Sequence, residues 1–104
     1  MNLTAEELRN KIDNKESFVV DIYADWCGPC KMMSPVIDKI VSNTLSEGRE
    51  NKLFKFNVDN DKTLSTELGV RSIPNFKVFK DGEIIAQKIG MLSEIQINEL
   101  IEMI

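Results

Sequence analysis

Apolar residues fall into two kinds of pattern along this chain. In Phe18-Val19-Val20-Asp21-Ile22-Tyr23-Ala24 they run almost unbroken, whereas from Leu53 to Val58 they alternate, with Phe54, Phe56 and Val58 on one side. The first run reads as a central strand covered on both faces, and the second as a strand with two unlike faces. Phe76 to Phe79 and Glu83 to Ile89 flank Asp81-Gly82, a tight-turn dipeptide, and predict a hairpin. Elsewhere the spacing is helical. Leu8 and Ile12 mark a first helix, and Val36, Ile37, Ile40 and Val41 give the inner side of a second that runs to about Asn43. Leu64 and Leu68 predict a short helix over Asn60 to Leu68, and Ile97, Leu100, Ile101 and Ile104 a last one.

Local signals set the ends of these elements. Thr4 is an N-cap that Glu7 completes into a capping box, with Leu3 placed to staple onto Leu8, and Ser93, Gln96, Leu92 and Ile97 repeat the arrangement. Asp13-Asn14-Lys15 breaks the first helix, Gly69 stops the third at the C′ position, and Ser46 to Asn51 is a polar loop. Pro35 falls inside the second helix, lacks an N–H and should kink it. The resulting order, α-β-α-β-α-β-β-α, joins parallel strands through helices and finishes with an antiparallel pair. That requires an α/β domain built on a mixed sheet with helices on both faces. No repeat, linker or low-complexity segment interrupts it, so residues 1–104 are expected to form one domain.

Composition narrows the chemistry. A net charge of −4 with no basic stripe argues against a nucleic-acid partner, since phosphate binding relies on clustered Lys and Arg. No apolar run approaches the length of a membrane span. Met1 to Glu7 lacks the basic stretch and apolar segment of a secretory signal, so a cytoplasmic protein is expected. The chain has no histidine, which removes Ser-His and Cys-His nucleophile pairs and imidazole metal ligands. A structural zinc site needs four ligands, and the 2 cysteines could supply a set only by sharing it across a symmetric dimer, of which the sequence gives no other sign. Glycines 28, 48, 69, 82 and 90 fit no dinucleotide fingerprint, so no directly bound nicotinamide or flavin is expected.

Both cysteines sit in Trp26-Cys27-Gly28-Pro29-Cys30-Lys31, between the buried strand and the second helix. Side chains three residues apart on a helical turn lie roughly 5–6 Å apart at Cβ. A disulfide tolerates Cα separations of about 4.4–6.8 Å, so this pair can close or open with little backbone movement. A strand, then Cys-x-x-Cys, then a helix is the pattern of a dithiol redox site in a cytosolic protein.

With these elements placed, the chain closely resembles the thioredoxin family from Leu3 to Ile104. The resemblance rests on Asp21 before the site, Trp26-Cys27-Gly28-Pro29-Cys30-Lys31, Pro35 in the following helix, Ile73-Pro74 before the hairpin and Gly90 after it. It implies the thioredoxin fold: a central mixed sheet of four to five strands flanked by four helices, with the first strand short or missing because Met1-Asn2-Leu3 leaves little room for one. Ile22 stands where an aromatic residue is common in the family, and the loop around Gly48 looks a few residues longer than usual.

The resemblance also implies a protein-disulfide oxidoreductase that passes electrons to other enzymes, without a cofactor of its own. Cys27, at a helix N-terminus, faces unpaired N–H groups and the positive end of the helix dipole, which stabilise the thiolate and lower its pKa, an effect for which thioredoxins are themselves a standard illustration. Cys27 is then the nucleophile, and Cys30, one turn further in and expected to be more buried, resolves the mixed disulfide. Gly28 and Pro29 suit a first helical turn and, by resemblance, tune the site towards reduction. Asp21 interrupts an apolar strand, where a carboxylate must be neutral, partnered or exposed by twist. By resemblance it is the buried acid that takes a proton from Cys30, with a pKa raised by desolvation. Lys55 matches a lysine near this acid, although in an alternating strand it could equally face solvent.

Ile73-Pro74 resembles the family's cis-proline loop, which would leave the Ile73 backbone free to pair with an extended substrate segment. Trp26, Gly28, Pro29, Ile73, Pro74, Gly90 and Met91 would then form a flat apolar substrate-binding patch around Cys27, with about half of the Trp26 surface packed inward. The implied partners are disulfide-containing proteins and a thioredoxin reductase that draws on NADPH, and the implied state is a monomer. Two other readings stay open on sequence grounds. One is an oxidase or isomerase, against which Gly28-Pro29 and the absent signal sequence count. The other is a binding subunit that uses the patch without electron transfer.

Overall fold

A computed structural model describes all residues, 1–104. The elements are α1 (Ala5–Asp13), β1 (Phe18–Tyr23), α2 (Gly28–Ser46), β2 (Leu53–Asn57), a 3-10 turn (Val58–Asn60), α3 (Lys62–Glu67), β3 (Asn75–Lys80), β4 (Glu83–Ile89) and α4 (Glu94–Ile101). The strands form one sheet in the order β2-β1-β3-β4. β1 runs parallel to β2 and antiparallel to β3, and β3 pairs antiparallel with β4. The mixed sheet and the element order follow the sequence pattern.

Alternation along β1 divides the core in two. Val19 joins Met33, Ile37, Ile40 and Val41 of α2 and Ile97 and Leu100 of α4 on one face. Phe18, Val20 and Ile22 join Leu8 of α1, Leu64 of α3 and Phe56 of β2 on the other. Each such side chain, fully buried, contributes about 1.5–3 kcal/mol of transfer free energy. Phe54 and Val58 pack on the same side as Phe56, as the alternation from Leu53 predicts. Asp21 follows the period of Val19 and therefore lies on the α2 side of β1.

Caps fall where local chemistry places them. The Thr4–Glu7 and Ser93–Gln96 capping boxes both form. Gly69, at φ +73°, ends α3 with its N–H on Thr66 O and the Val70 N–H on Ser65 O, the double bond of a Schellman stop. Asp81 and Gly82 both have positive φ, as a two-residue hairpin turn of the primed type requires.

Three boundaries differ from expectation. α2 continues through Pro35 to Ser46, three residues beyond Asn43, because Ile40 and Val41 are held in the core and Thr44 Oγ1 donates back to Ile40 O at 2.8 Å. The helix expected over Asn60 to Leu68 divides. The Asn57 side chain caps a 3-10 turn, and the Asp61 side chain accepts from the Leu64 N–H to begin α3 anew. The N-terminal strand reduces to a single parallel bridge, Asn2 to Lys55, with the Leu3 N–H donating to Lys55 O at 2.7 Å. The sheet accordingly has four strands.

Candidate active site

Cys27 is the N-cap of α2. Its backbone is extended, and its Sγ accepts a hydrogen bond from the Cys30 N–H at 3.2 Å, where an N-cap serine or aspartate would place its oxygen. Gly28 and Pro29 take the first two helical positions, and the proline lacks the N–H that would otherwise be unpaired there. The turn brings the cysteine Cα atoms to 5.2 Å, and Cys27 and Cys30 are joined in a disulfide. Both residues are nearly covered, Cys27 at 6% and Cys30 at 4% exposure, so the expected difference in burial is small. They differ in what they face. Cys27 Sγ lies 4.0 Å from the Ile73 carbonyl oxygen, whereas Cys30 borders a polar depression of about 420 Å³ with Ser34 and Lys55.

Gly28 is exposed, and a Cβ built on it would meet nothing within 4 Å. Packing within the fold therefore does not require a glycine at this position.

The Ile73–Pro74 peptide is cis. The Ile73 N–H makes no hydrogen bond within the chain, and the Pro74 carbonyl accepts from the Gly90 N–H at 2.8 Å, tying this loop to the end of β4. Trp26 and Ile73 border a common recess of about 180 Å³, and Met91 is exposed just beyond Gly90. Two features of the patch differ from expectation. Trp26 is 69% exposed rather than half packed, because its indole N–H is satisfied at the surface by Asp59 Oδ2 at 3.0 Å. Pro74 is buried, so Ile73 and not the proline ring offers surface.

Asp21 is 1% exposed, and neither carboxylate oxygen has a hydrogen-bond partner. Burial pushes its pKa from 3.8 up to about 7, with the Lys55 charge pulling the other way. Lys55 is the register partner of Asp21 on β2, but its Nζ donates to Ser34 Oγ at 3.0 Å and lies 4.8 Å over the Tyr23 ring. Proximity to Asp21 is thus realised and an ion pair is not.

Sequence reasoning passed over Ser34 and Asp59. Ser34 follows Cys30 by four residues and so shares its helix face, a signal that was available. Asp59 lies 33 residues from Trp26, and no local pattern links them.

The comparisons with known proteins agree with this geometry. The Thioredoxin family model matches residues 1–103. The chain belongs to the thioredoxin family. The thioredoxin of Pseudomonas aeruginosa is 39% identical over 84 residues, covering 81% of this chain and 75% of that protein. The thioredoxin of Rickettsia typhi is 41% identical over 91 residues, covering 86% and 84%. Among solved structures, oxidised mitochondrial thioredoxin 3 from Saccharomyces cerevisiae superposes with a TM-score of 0.80 at 32% identity, covering all of this chain and 94% of that one. As a thioredoxin-family member with the cysteine pair in place, the chain is a dithiol protein-disulfide oxidoreductase with the thioredoxin fold. No helix is long and apolar enough to cross a membrane.

Proposed function

We propose that this thioredoxin-family protein is a cytoplasmic, monomeric disulfide reductase, one domain over residues 1–104, that is returned to the dithiol by a thioredoxin reductase drawing on NADPH. The observation that carries the reading is the Cys27 sulfur at the N-terminus of α2, capped by the Cys30 N–H and facing the Ile73 loop. A negative charge at a helix N-terminus gains from unpaired N–H groups and the positive end of the dipole, which favours the thiolate of Cys27 over that of Cys30.

In the cycle we infer, the Cys27 thiolate attacks one sulfur of a substrate disulfide and expels the other as a thiolate. The Asp21 carboxylate then takes the Cys30 proton through water. The Cys30 sulfur bonds to the Cys27 sulfur, the Cys27–substrate bond breaks, and the departing substrate thiolate recovers a proton from Asp21 or solvent. The dithiol loses two electrons and the substrate disulfide gains them. The burial of Asp21 without a partner supports its role, because a carboxyl with a pKa near neutrality exchanges protons readily at physiological pH. Lys55 lies close enough to influence that carboxyl without binding it. The unpaired Ile73 N–H and its carbonyl are suited to an extended substrate segment, with Trp26, Pro29 and Met91 as apolar contacts and Gly28 and Gly90 leaving room for its backbone.

Replacing Cys30 with serine tests the reading. A reductase lacking its resolving sulfur accumulates mixed disulfides through Cys27 with protein substrates, and a binding subunit does not. The Cys27–Cys30 couple, equilibrated against thiol buffers, should have a reduction potential at or below the glutathione range of about −220 to −320 mV. A clearly higher value would overturn the reductase in favour of an oxidase.

A further inference from the structure

Lys55 has a choice of partners, and the structure shows which one it takes. Its backbone is pinned on both sides, by the β1 register opposite Asp21 and by the Met1–Leu3 segment, whose Met1 carbonyl accepts the Lys55 N–H at 3.0 Å. Only the side chain can move. Its ammonium donates to Ser34 Oγ, one turn beyond Cys30 on α2, at the border of the depression that Cys30 also lines. We propose that Ser34 is a positioning residue for proton transfer at the dithiol: its hydroxyl tethers the Lys55 ammonium to the wall of the depression and so keeps an Asp21–Lys55 ion pair from closing. The proposal rests on the reading that Asp21 accepts the Cys30 proton.

The physical case is one of competition. A lysine ammonium beside an unpartnered, buried carboxylate is drawn to it strongly, because the low dielectric magnifies the attraction. A closed pair would hold Asp21 ionised and make it a poorer base towards Cys30. The Ser34 hydroxyl, with the Tyr23 ring beneath the ammonium, offers Lys55 an alternative at the edge of solvent. Besides Ser34 and Lys55, the depression is lined by Asn2 of the N-terminal segment, Tyr23 and Asp25 at the end of β1, and Cys30 and Lys31 of α2, while on β3 the register partner of Asp21 is the apolar Phe76. Lys55 is the charge that acts on Asp21.

Two readouts test this, the Asp21 carboxyl titration followed by NMR and the pH profile of mixed-disulfide resolution. Ser34→Ala keeps a helix-compatible residue at a half-buried position. It should move both midpoints about one pH unit towards acid as Lys55 closes on Asp21. Ser34→Thr, which keeps the hydroxyl, should restore them. In a Lys55→Met background Ser34→Ala should have no effect, because the tether then holds nothing. Unmoved or alkaline-shifted midpoints in Ser34→Ala overturn the tether. Asp21→Asn separates the two levels of the argument. If it abolishes the pH-dependent limb while Ser34→Ala leaves that limb in place, the tether alone fails. If the limb survives Asp21→Asn, the Asp21 reading fails and takes with it the positioning role of Ser34.

Discussion

The indole N–H of Trp26 donates to Asp59 Oδ2 at 3.0 Å, holding a largely exposed aromatic ring beside the disulfide. The bond links the residue before Cys27 to the 3-10 turn after β2. It holds the ring at the surface and does not bury it.

Removing that anchor should affect function more than folding. Asp59→Ala is expected to cost about 1 kcal/mol or less, since the bond is exposed to solvent. Substrate reduction should fall several-fold as the ring becomes disordered. Trp26 is the only tryptophan, so its fluorescence anisotropy reports the release directly, alongside a steady-state assay. An unchanged anisotropy would show that the ring is held by something else.

Asp21 should make the oxidised protein less stable as pH rises. The unfolded chain releases this proton near 3.8 and the folded chain near 7, so between those values the folded state binds more protons and stability declines. The full difference is worth about 4 kcal/mol at 1.36 kcal/mol per unit. Asp21→Asn should therefore stabilise the fold above neutrality and change it little in acid. Urea unfolding at about pH 4 and about pH 8 measures both limbs.

Gly28→Ala separates foldability from turnover. A Cβ there meets nothing, and alanine is a better helix former than glycine, so stability should hold or rise by up to about 1 kcal/mol. Turnover of protein disulfides should fall, while reduction of a small disulfide such as cystamine changes less. Equal loss for both substrates would mean that the glycine acts on the sulfur chemistry and not on access.

Two glycines of similar conformation should respond differently. Gly48 and Gly82 have φ of +73° and +81°, but a Cβ on Gly48 meets nothing, whereas one on Gly82 would lie 2.7 Å from Ile12 O and 3.0 Å from Lys15 Cα. Gly48→Ala should cost about 1 kcal/mol for its backbone conformation alone. Gly82→Ala must also push the hairpin off the end of α1 and should cost at least about 2 kcal/mol more. Paired thermal melts check the ordering.

What the sequence determined by itself is the part of the protein governed by neighbours within a few residues. The Thr4–Glu7 and Ser93–Gln96 caps, the Asp81-Gly82 turn, the Gly69 stop and the placement of Cys27 and Cys30 on one helical turn all depend on contacts three or four positions apart. The near-unbroken apolar run through Val19 and Val20 likewise announced a sheet covered on both faces, because the strand period assigns successive side chains to opposite layers. The break between the 3-10 turn and α3 was harder to read, since Asn57, Asp59, Asn60 and Asp61 all offer capping side chains and packing selects among them.

Tertiary structure decided the rest. Whether Asp21 is exposed or buried, whether Lys55 binds it or Ser34, and whether Trp26 packs inward or lies against Asp59 each depend on side chains brought together from distant parts of the chain. The free energies that settle these choices are desolvation and competition for a single ammonium or indole proton. Both are set by three-dimensional surroundings that the order of residues along one strand or helix does not specify.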